Sequence, residues 1–367
     1  MKKKCLAAMA AALCSAGAQA QSSGSGLALY GRTDVGVVTQ TSRAPGGSAQ
    51  AVNSNVWQPS LWGLRGQEDL GGGLAVYFNA ASTILVDSGA PGSTVRLFDR
   101  HAYVGLTDQD LGTISFGRHV NTLAELFYVT DPLRANNSAT NMNVRFGYLG
   151  GPGAVLAGNF GANAGMAGNN LDRQDNTIKY AYVGTGGIVG MAMYSFGENA
   201  GNFRGNSSAG LLAGYDGASF NVRAAAMKFK DADGVALNAY AVGGAYTVGG
   251  LKLKATWTQN KADSGVAPYG HLKTQVYSGG ATYSLAKSLD VTLAYYHGSR
   301  SQDAMPKQVA RKFYLTPEYY LSRRTILFGI LELERFNATG ALLDTGTPLS
   351  AGARSSVQVA VGISHSF

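Results

Sequence analysis

The amino-acid sequence predicts an all-β chain: a 16-stranded antiparallel transmembrane β-barrel with its third long loop folded inward. Three observations lead there. Apolar residues recur with a period of two through most of the chain; short turns alternate with long polar connections; and one connection, about 121–171, is far too long to be only a connection.

The first twenty residues stand apart from this pattern. Lys2, Lys3 and Lys4 precede a short apolar run, and Ala18-Gln19-Ala20 offers a small-residue exit, the layout of a cleaved secretory signal. The apolar run is too short to span a bilayer. Residues 1–20 are therefore read as a signal peptide and 21–367 as one barrel domain of 367 − 20 = 347 residues. Cys5 and Cys14 leave with the signal, so the exported part has no thiol for a disulfide or a thiolate metal site. The net charge falls from +8 to 8 − 3 = +5. No dense Lys/Arg tract accompanies that surplus, which argues against nucleic acid and for a bias on small ions.

Strand signals begin at Leu27-Leu29 and Val35-Val37, which alternate with Tyr30, Arg32 and Asp34. They recur in Leu251-Lys252-Leu253-Lys254-Ala255-Thr256-Trp257-Thr258. The last segment is the clearest: Val357, Val359, Val361, Ile363, His365 and Phe367 share one face, and Ser356, Gln358, Ala360, Gly362, Ser364 and Ser366 the other. Such a strand has oil on one side and water on the other. Averaged over both faces the hydropathy cancels, and the mean hydropathy is indeed near zero.

Turn signals fall at 69–73, 108–112, 184–187, 216–218, 248–250, 286–289 and 322–325, and longer polar connections at 39–55, 86–95, 121–171, 198–206, 230–236, 262–271, 300–308 and 336–354. Seven turns and eight loops join sixteen strands, with short turns at one end and long loops at the other, as in barrels of bacterial outer membranes. Aromatics near strand ends, Tyr103, Tyr180, Trp257, Tyr283, Tyr295 and Phe367, suit an interfacial belt. Pro317 removes a ladder donor inside a strand and suggests a bulge or the loop-side rim. The connection at 121–171 is polar, rich in Asn and Gly, and opens with the amphipathic run Leu123 to Pro132. Ordinary connections run to about 4–6 residues, so an insert this long has a function or a cavity to fill.

Several stretches resemble the general porins of β-proteobacterial outer membranes. They are Leu29-Tyr30-Gly31-Arg32, the run Trp62 to Leu74, Ala102-Tyr103-Val104-Gly105-Leu106, the run Leu111 to Arg118, Asp175 to Tyr180, Tyr320 to Thr325 and the terminal Phe367. The resemblance covers the whole chain. It implies a homotrimer in the outer membrane, in contact with membrane lipid and lipopolysaccharide, passing small hydrophilic solutes and ions by passive diffusion. It also implies that the insert forms a constriction and that Phe367 belongs to the signal read by the barrel assembly machinery.

A pore works through the width and field of its narrowest point. Strand parity points Arg32, Arg65, Arg100, Arg173 and Lys179 inward. The resemblance puts Arg32, Arg100 and Arg173 on a basic wall opposite acids of the insert, here Glu125 and Asp131. Opposed walls of that kind set up a transverse field that favours polar solutes. The chain departs from the family at Leu61, where a basic residue is common, and at Ala81, where a glutamate is common. Leu133-Arg134-Ala135-Asn136 also replaces a proline-glutamate-phenylalanine-glycine run. Losing one base and more than one acid leaves a positive throat with weak anion preference.

No catalytic set competes with this reading. His101, His119, His271, His297 and His365 are scattered without metal-ligand spacing, and no nucleophile and base share a strand face. Neither an enzyme, a cofactor nor a metal site is expected. The alternatives that stay open are a substrate-specific outer-membrane channel and an adhesin-like barrel that binds a partner through its outer loops.

Overall fold

The computed structural model describes residues 25–43, 46–136, 141–147, 160–162, 172–263, 270–303, 305–337 and 352–367. The expected signal peptide at 1–20 lies outside them. Eighteen extended segments follow one another. The first nine are β1 (Gly26–Gln40), β2 (Ala49–Ser54), β3 (Leu61–Gly71), β4 (Leu74–Leu85), β5 (Ala90–Pro91), β6 (His101–Asp108), β7 (Gly112–Val120), β8 (Arg173–Val183) and β9 (Ile188–Ser195). The rest are β10 (Ser208–Asp216), β11 (Phe220–Lys230), β12 (Ala236–Val248), β13 (Leu251–Asp263), β14 (His271–Ala286), β15 (Leu289–Gln302), β16 (Met305–Tyr320), β17 (Thr325–Phe336) and β18 (Ser355–Ser366).

These build sixteen barrel strands. β2 and β3 pair in succession with β1, so they are one strand interrupted by residues 55–60, and β5 is a two-residue pairing on the end of β4. Every pairing is antiparallel between neighbours, and β18 returns to β1, with Arg32 opposite Ser366 and Gln40 opposite Gln358. Closure leaves no sheet edge, which is what a backbone surrounded by hydrocarbon requires.

The two faces sort as alternation predicts. Leu27, Leu29 and Val37 of β1, and Val357, Val359, Val361 and Ile363 of β18, are exposed; Arg32, Asp34, Val38, Gln358, Ala360 and Ser364 between them are buried. Lys252 and Lys254 of β13 share the inner parity with Thr256 and Thr258. Two expectations need correction. Tyr103 belongs to the inner face, stacked on His119 with ring centroids 4.2 Å apart and taking a 3.5 Å bond from Asn79 Nδ2. Pro317 makes no bulge: it stays opposite Val291, and the β16–β17 ladder resumes beyond it in the same register, near the short turn rather than the loop-side rim.

Helix α1 (Thr122–Thr130) opens the insert, its first turn capped by Asn121, whose side chain accepts from the Ala124 amide. α2 (Met142–Gly147) follows. α1 packs on β9 to β13, on the face opposite the exposed apolar one. Leu123, Leu126 and Phe127 are fully buried among Met193, Leu212, Met227, Phe229, Leu237, Ala239 and Ala241. Each such side chain withdrawn from water stabilises the docked helix by about 1.5–3 kcal/mol. Close approach needs a glycine beneath the helix end: a Cβ on Gly243 would run into the Thr130 side chain.

Candidate functional site

Two sides of the barrel interior carry the charged residues, and they are built differently. On the first, Arg32 of β1 lies against the excursion at residues 55–60. Its Nε donates to the Pro59 carbonyl at 3.1 Å and its Nη1 to Gln58 Oε1 at 2.7 Å. Asp34 holds that excursion in place: its carboxylate accepts from the amides of Trp57 and Gln58, each at 3.0 Å, and its amide donates to Ser60 Oγ. Arg100, in the connection ahead of β6, donates its amide to the Ala81 carbonyl at 3.1 Å. Arg173 opens β8, donates Nε to the Arg100 carbonyl at 3.0 Å and pairs with Asp172. Arg32, Arg100 and Arg173 all stand close enough to the half-exposed phenol of Tyr128, on α1, for their charges to act on it. A guanidinium keeps its charge at any working pH, so this is a permanent basic cluster.

The second side is β9 to β13 with α1 docked on it. Glu125 is 3% exposed and pairs with Lys179 Nζ at 2.6 Å, while its backbone carbonyl accepts from Arg223 Nη1 at 2.8 Å. Asp131, at the end of α1, is fully buried. Its carboxylate accepts from the amides of Leu133 and Ala135, from Asn141 Nδ2 and Asn143 Nδ2, and from the Tyr296 hydroxyl at 2.9 Å. Five donors on one carboxylate make it an organiser of the chain that leaves α1. Past it, Arg134 adopts a left-handed backbone (φ 60°) and reaches Glu318 of β16 with both carboxylate oxygens within 2.7 Å. The guanidinium also lies over Trp57, 6.0 Å from the ring centroid, and the indole Nε1 donates to the same Glu318 at 3.0 Å. Arg134 remains partly exposed and lies within the electrostatic reach of Arg32, Lys252 and Lys254.

The profile of the family described as Gram-negative porin matches residues 6–339. The chain belongs to that family. It is accordingly an outer-membrane protein and a general diffusion porin. Porin protein 32 of Delftia acidovorans is 27% identical over 377 residues, covering 100% of both chains. An outer membrane porin protein of Bordetella pertussis is 30% identical over 212 residues, 54% of this chain and 49% of its own, so that match spans about half of the relative. Among solved structures, an anion-selective porin from Comamonas acidovorans superposes with a TM-score of 0.77 at 26% identity, covering 94% of this chain and 100% of the other. OmpT of Vibrio cholerae in its trimer form shares the fold, with a TM-score of 0.69 at 15% identity over 94% of this chain and 100% of its own. The members of the family are channels rather than enzymes.

Within this porin, the structure brings Arg32, Arg100 and Arg173 together and separates Arg65 from them. Arg65 shares the inner face with Ala28 and Asn79, nearer the short-turn end, with its guanidinium 5.2 Å from the centroid of the Tyr30 ring. Lys179 is on the inner face but occupied by Glu125, so it belongs to the loop's mooring. Counting Arg173 and Lys179 as one strand face by parity was unsound: the register with β7 shifts between Thr177 and Gln174, and Asn176 there has φ 53°. Glu125 and Asp131 do not stand across open water from the arginines, because both are buried and hydrogen-bonded within the docked loop. The side of α1 near the arginines offers the Tyr128 phenol in their place. Sequence reasoning missed Arg134, Lys252 and Lys254 as a second basic group. The two lysines were legible, since they alternate with Leu251 and Leu253; the course of Arg134 was not. Phe367 is exposed, and its amide and carbonyl both bond Gly31 at 3.0 Å, closing the last strand onto the first. Among the described residues no group of three or more His, Cys, Asp or Glu side chains could hold a metal ion.

Proposed function

We propose that this porin is an anion-preferring diffusion pore, with the insert at about 121–171 narrowing the bore against Arg32, Arg100 and Arg173. The observation that carries this reading is the fate of the acids. Glu125, Asp131 and Glu318 are each buried and paired with a cation or a ring of donors, so their fields are neutralised locally. Arg100 keeps a buried Nε donor with no partner among the described residues, which suits a passing anion or its water. Leu61 and Ala81, on the inner face beside Arg32 and His101, add no countercharge. Arg134 and Lys252 extend the positive lining along the solute's path. Low-dielectric walls focus such a field on the water column, so anions enter at raised local concentration and cations are discouraged. The anion selectivity of the Comamonas porin supports the same reading.

The working unit is a homotrimer in lipopolysaccharide-bearing membrane, a reading supported by the Vibrio porin's trimer form. Phe367, at the closing seam, is the candidate assembly signal. Reversal potential across a lipid bilayer in a tenfold KCl gradient tests the pore. The parent should show an anion-preferring sign, and Arg100→Ala should move the potential toward zero. An unmoved potential in that variant would remove Arg100 from the constriction.

A further inference from the structure

Most apolar side chains inside the barrel are buried in two clusters, one under α1 and one around Trp57 and Tyr296, but a group of rings on the inner face of β1 to β7 stays half-buried. Tyr30, Tyr77 and Tyr103 belong to neither cluster. They sit on three successive inner rows of the wall: Tyr30 with Gly63, Ala81 and His101; Arg65 with Asn79 and Tyr103; and Tyr77 with Gly105. Tyr30 lies across the wall because Gly63 beneath it has no side chain: a Cβ there would come within 2.9 Å of the Tyr30 ring. The Tyr30 hydroxyl donates to Asn79 Oδ1 at 2.6 Å, which fixes the ring from β4, and the Arg65 guanidinium stands over it, 5.2 Å from the centroid. Tyr103 meets Tyr77 edge-on at 6.0 Å and stacks on His119. The next inner row toward the long loops carries Arg32, and Arg100 immediately precedes His101. Arg100 Nε and His101 Nδ1 are both buried with no hydrogen-bond partner among the described residues.

We propose, building on the anion-preferring pore above, that this patch is a passage site for aromatic carboxylates. The solute's ring stacks on the Tyr30 and Arg65 pair beside Tyr103, and its carboxylate is held by Arg32, Arg100 and His101. An inorganic anion has little use for these rings, since it can only accept hydrogen bonds and the Tyr30 hydroxyl is already spent on Asn79. A planar ring uses them fully: offset-stacked and edge-to-face contacts suit π faces, and a guanidinium plane stacks on the same faces. Two residues along β1 span about 6.8 Å, so a ring lying at Tyr30 carries its carboxylate to the Arg32 row without a linker. Apolar lining with a few converging polar groups is also the usual make-up of a small-molecule site. A saturated ring of equal charge and similar size finds the same contact area but offers no π face, which sets aromatic acids apart from aliphatic ones.

The test uses the full-length porin in planar bilayers, with benzoate, cyclohexanecarboxylate and acetate as probes and the concentration that halves the chloride current as readout. Benzoate should block the parent at a concentration about fivefold lower than cyclohexanecarboxylate, the ratio expected of one π contact, and acetate should block least. Y30L/Y103L keeps apolar bulk and should make benzoate and cyclohexanecarboxylate equal, whereas Y30F/Y103F keeps the rings and should keep the parent's ratio. Arg65→Gln reaches the same question without touching a ring and should lower the ratio by removing the stacking plane. R32Q/R100Q should weaken block by both acids alike, and heat-modifiable migration on gels reports that each variant is folded. Equal block by benzoate and cyclohexanecarboxylate in the parent would overturn the proposal, as would an unchanged ratio in Y30L/Y103L. The reversal potential in KCl tells the two readings apart. A parent without anion preference overturns the pore's charge assignment and this proposal with it, whereas an anion-preferring parent that treats the two ring acids alike overturns this proposal alone.

Discussion

The side of the barrel under α1 and the side carrying Arg32 and Arg100 hold their charges differently. Under α1, Lys179 is paired with Glu125, Arg223 with Asp216, and Asp131 with its five donors. Across from it, Arg32 and Arg100 are held by neutral carbonyl, amide and hydroxyl oxygens, which fix their position without cancelling their charge. A buried, paired charge shapes the loop, whereas a charge tethered by neutral groups shapes the field. The same residue types therefore serve architecture on one side and permeation on the other.

Breaking the architectural side should have the largest effect. Asp131→Ala removes the acceptor shared by Leu133, Ala135, Asn141, Asn143 and Tyr296. Leaving those buried donors without their acceptor costs about 1–3 kcal/mol apiece, enough to undock the chain beyond α1 while the closed barrel stays folded. Single-channel conductance should change severalfold and become noisy; a trace identical to the parent's would mean that this loop does not limit flow.

Arg134→Gln should do less, because Arg134 stands between the two regimes. It is paired with Glu318 and still partly exposed. The reversal potential should still move toward cations, since the change leaves Glu318 without its cationic partner. Adding Glu318→Gln to that background should return part of the shift, and a double variant no different from Arg134→Gln would show that Glu318 contributes nothing to the field. Smallest of all should be Glu125→Gln. It leaves Lys179 buried with a weaker partner and costs loop docking about 1–3 kcal/mol, but selectivity in a salt gradient should stay close to the parent's. A clear gain in anion preference would place Glu125 on the water column after all.

The barrel was legible in the sequence because alternation and turn chemistry are local. Ser356 to Phe367 declares its two faces by composition alone, and all seven short turns join strands where Gly, Asp and Ser clusters suggested. Arg32 lies on the buried side of β1 that its alternation with Leu27 and Leu29 indicates, whereas Arg100 stands in the connection ahead of β6, where parity gives no face. What was not legible depends on partners distant in the chain. Nothing near Glu125 announces Lys179, fifty-four residues on, and nothing near Arg134 announces Glu318. The extra residue near Asn176 also defeats simple counting, because one insertion flips every later side chain. An acid in a loop reads as a field source until its neighbours are known.

The central claim is that the throat's charge comes from the cluster of Arg32 and Arg100, held by neutral oxygens, with Arg173, which is paired with Asp172. Its most direct test is the reversal potential in a tenfold KCl gradient for the parent and for R32Q/R100Q/R173Q, with heat-modifiable migration confirming that the barrel is intact. The parent should be anion-preferring and the triple variant close to non-selective. A cation-preferring parent, or a triple variant with the parent's potential, would contradict the account.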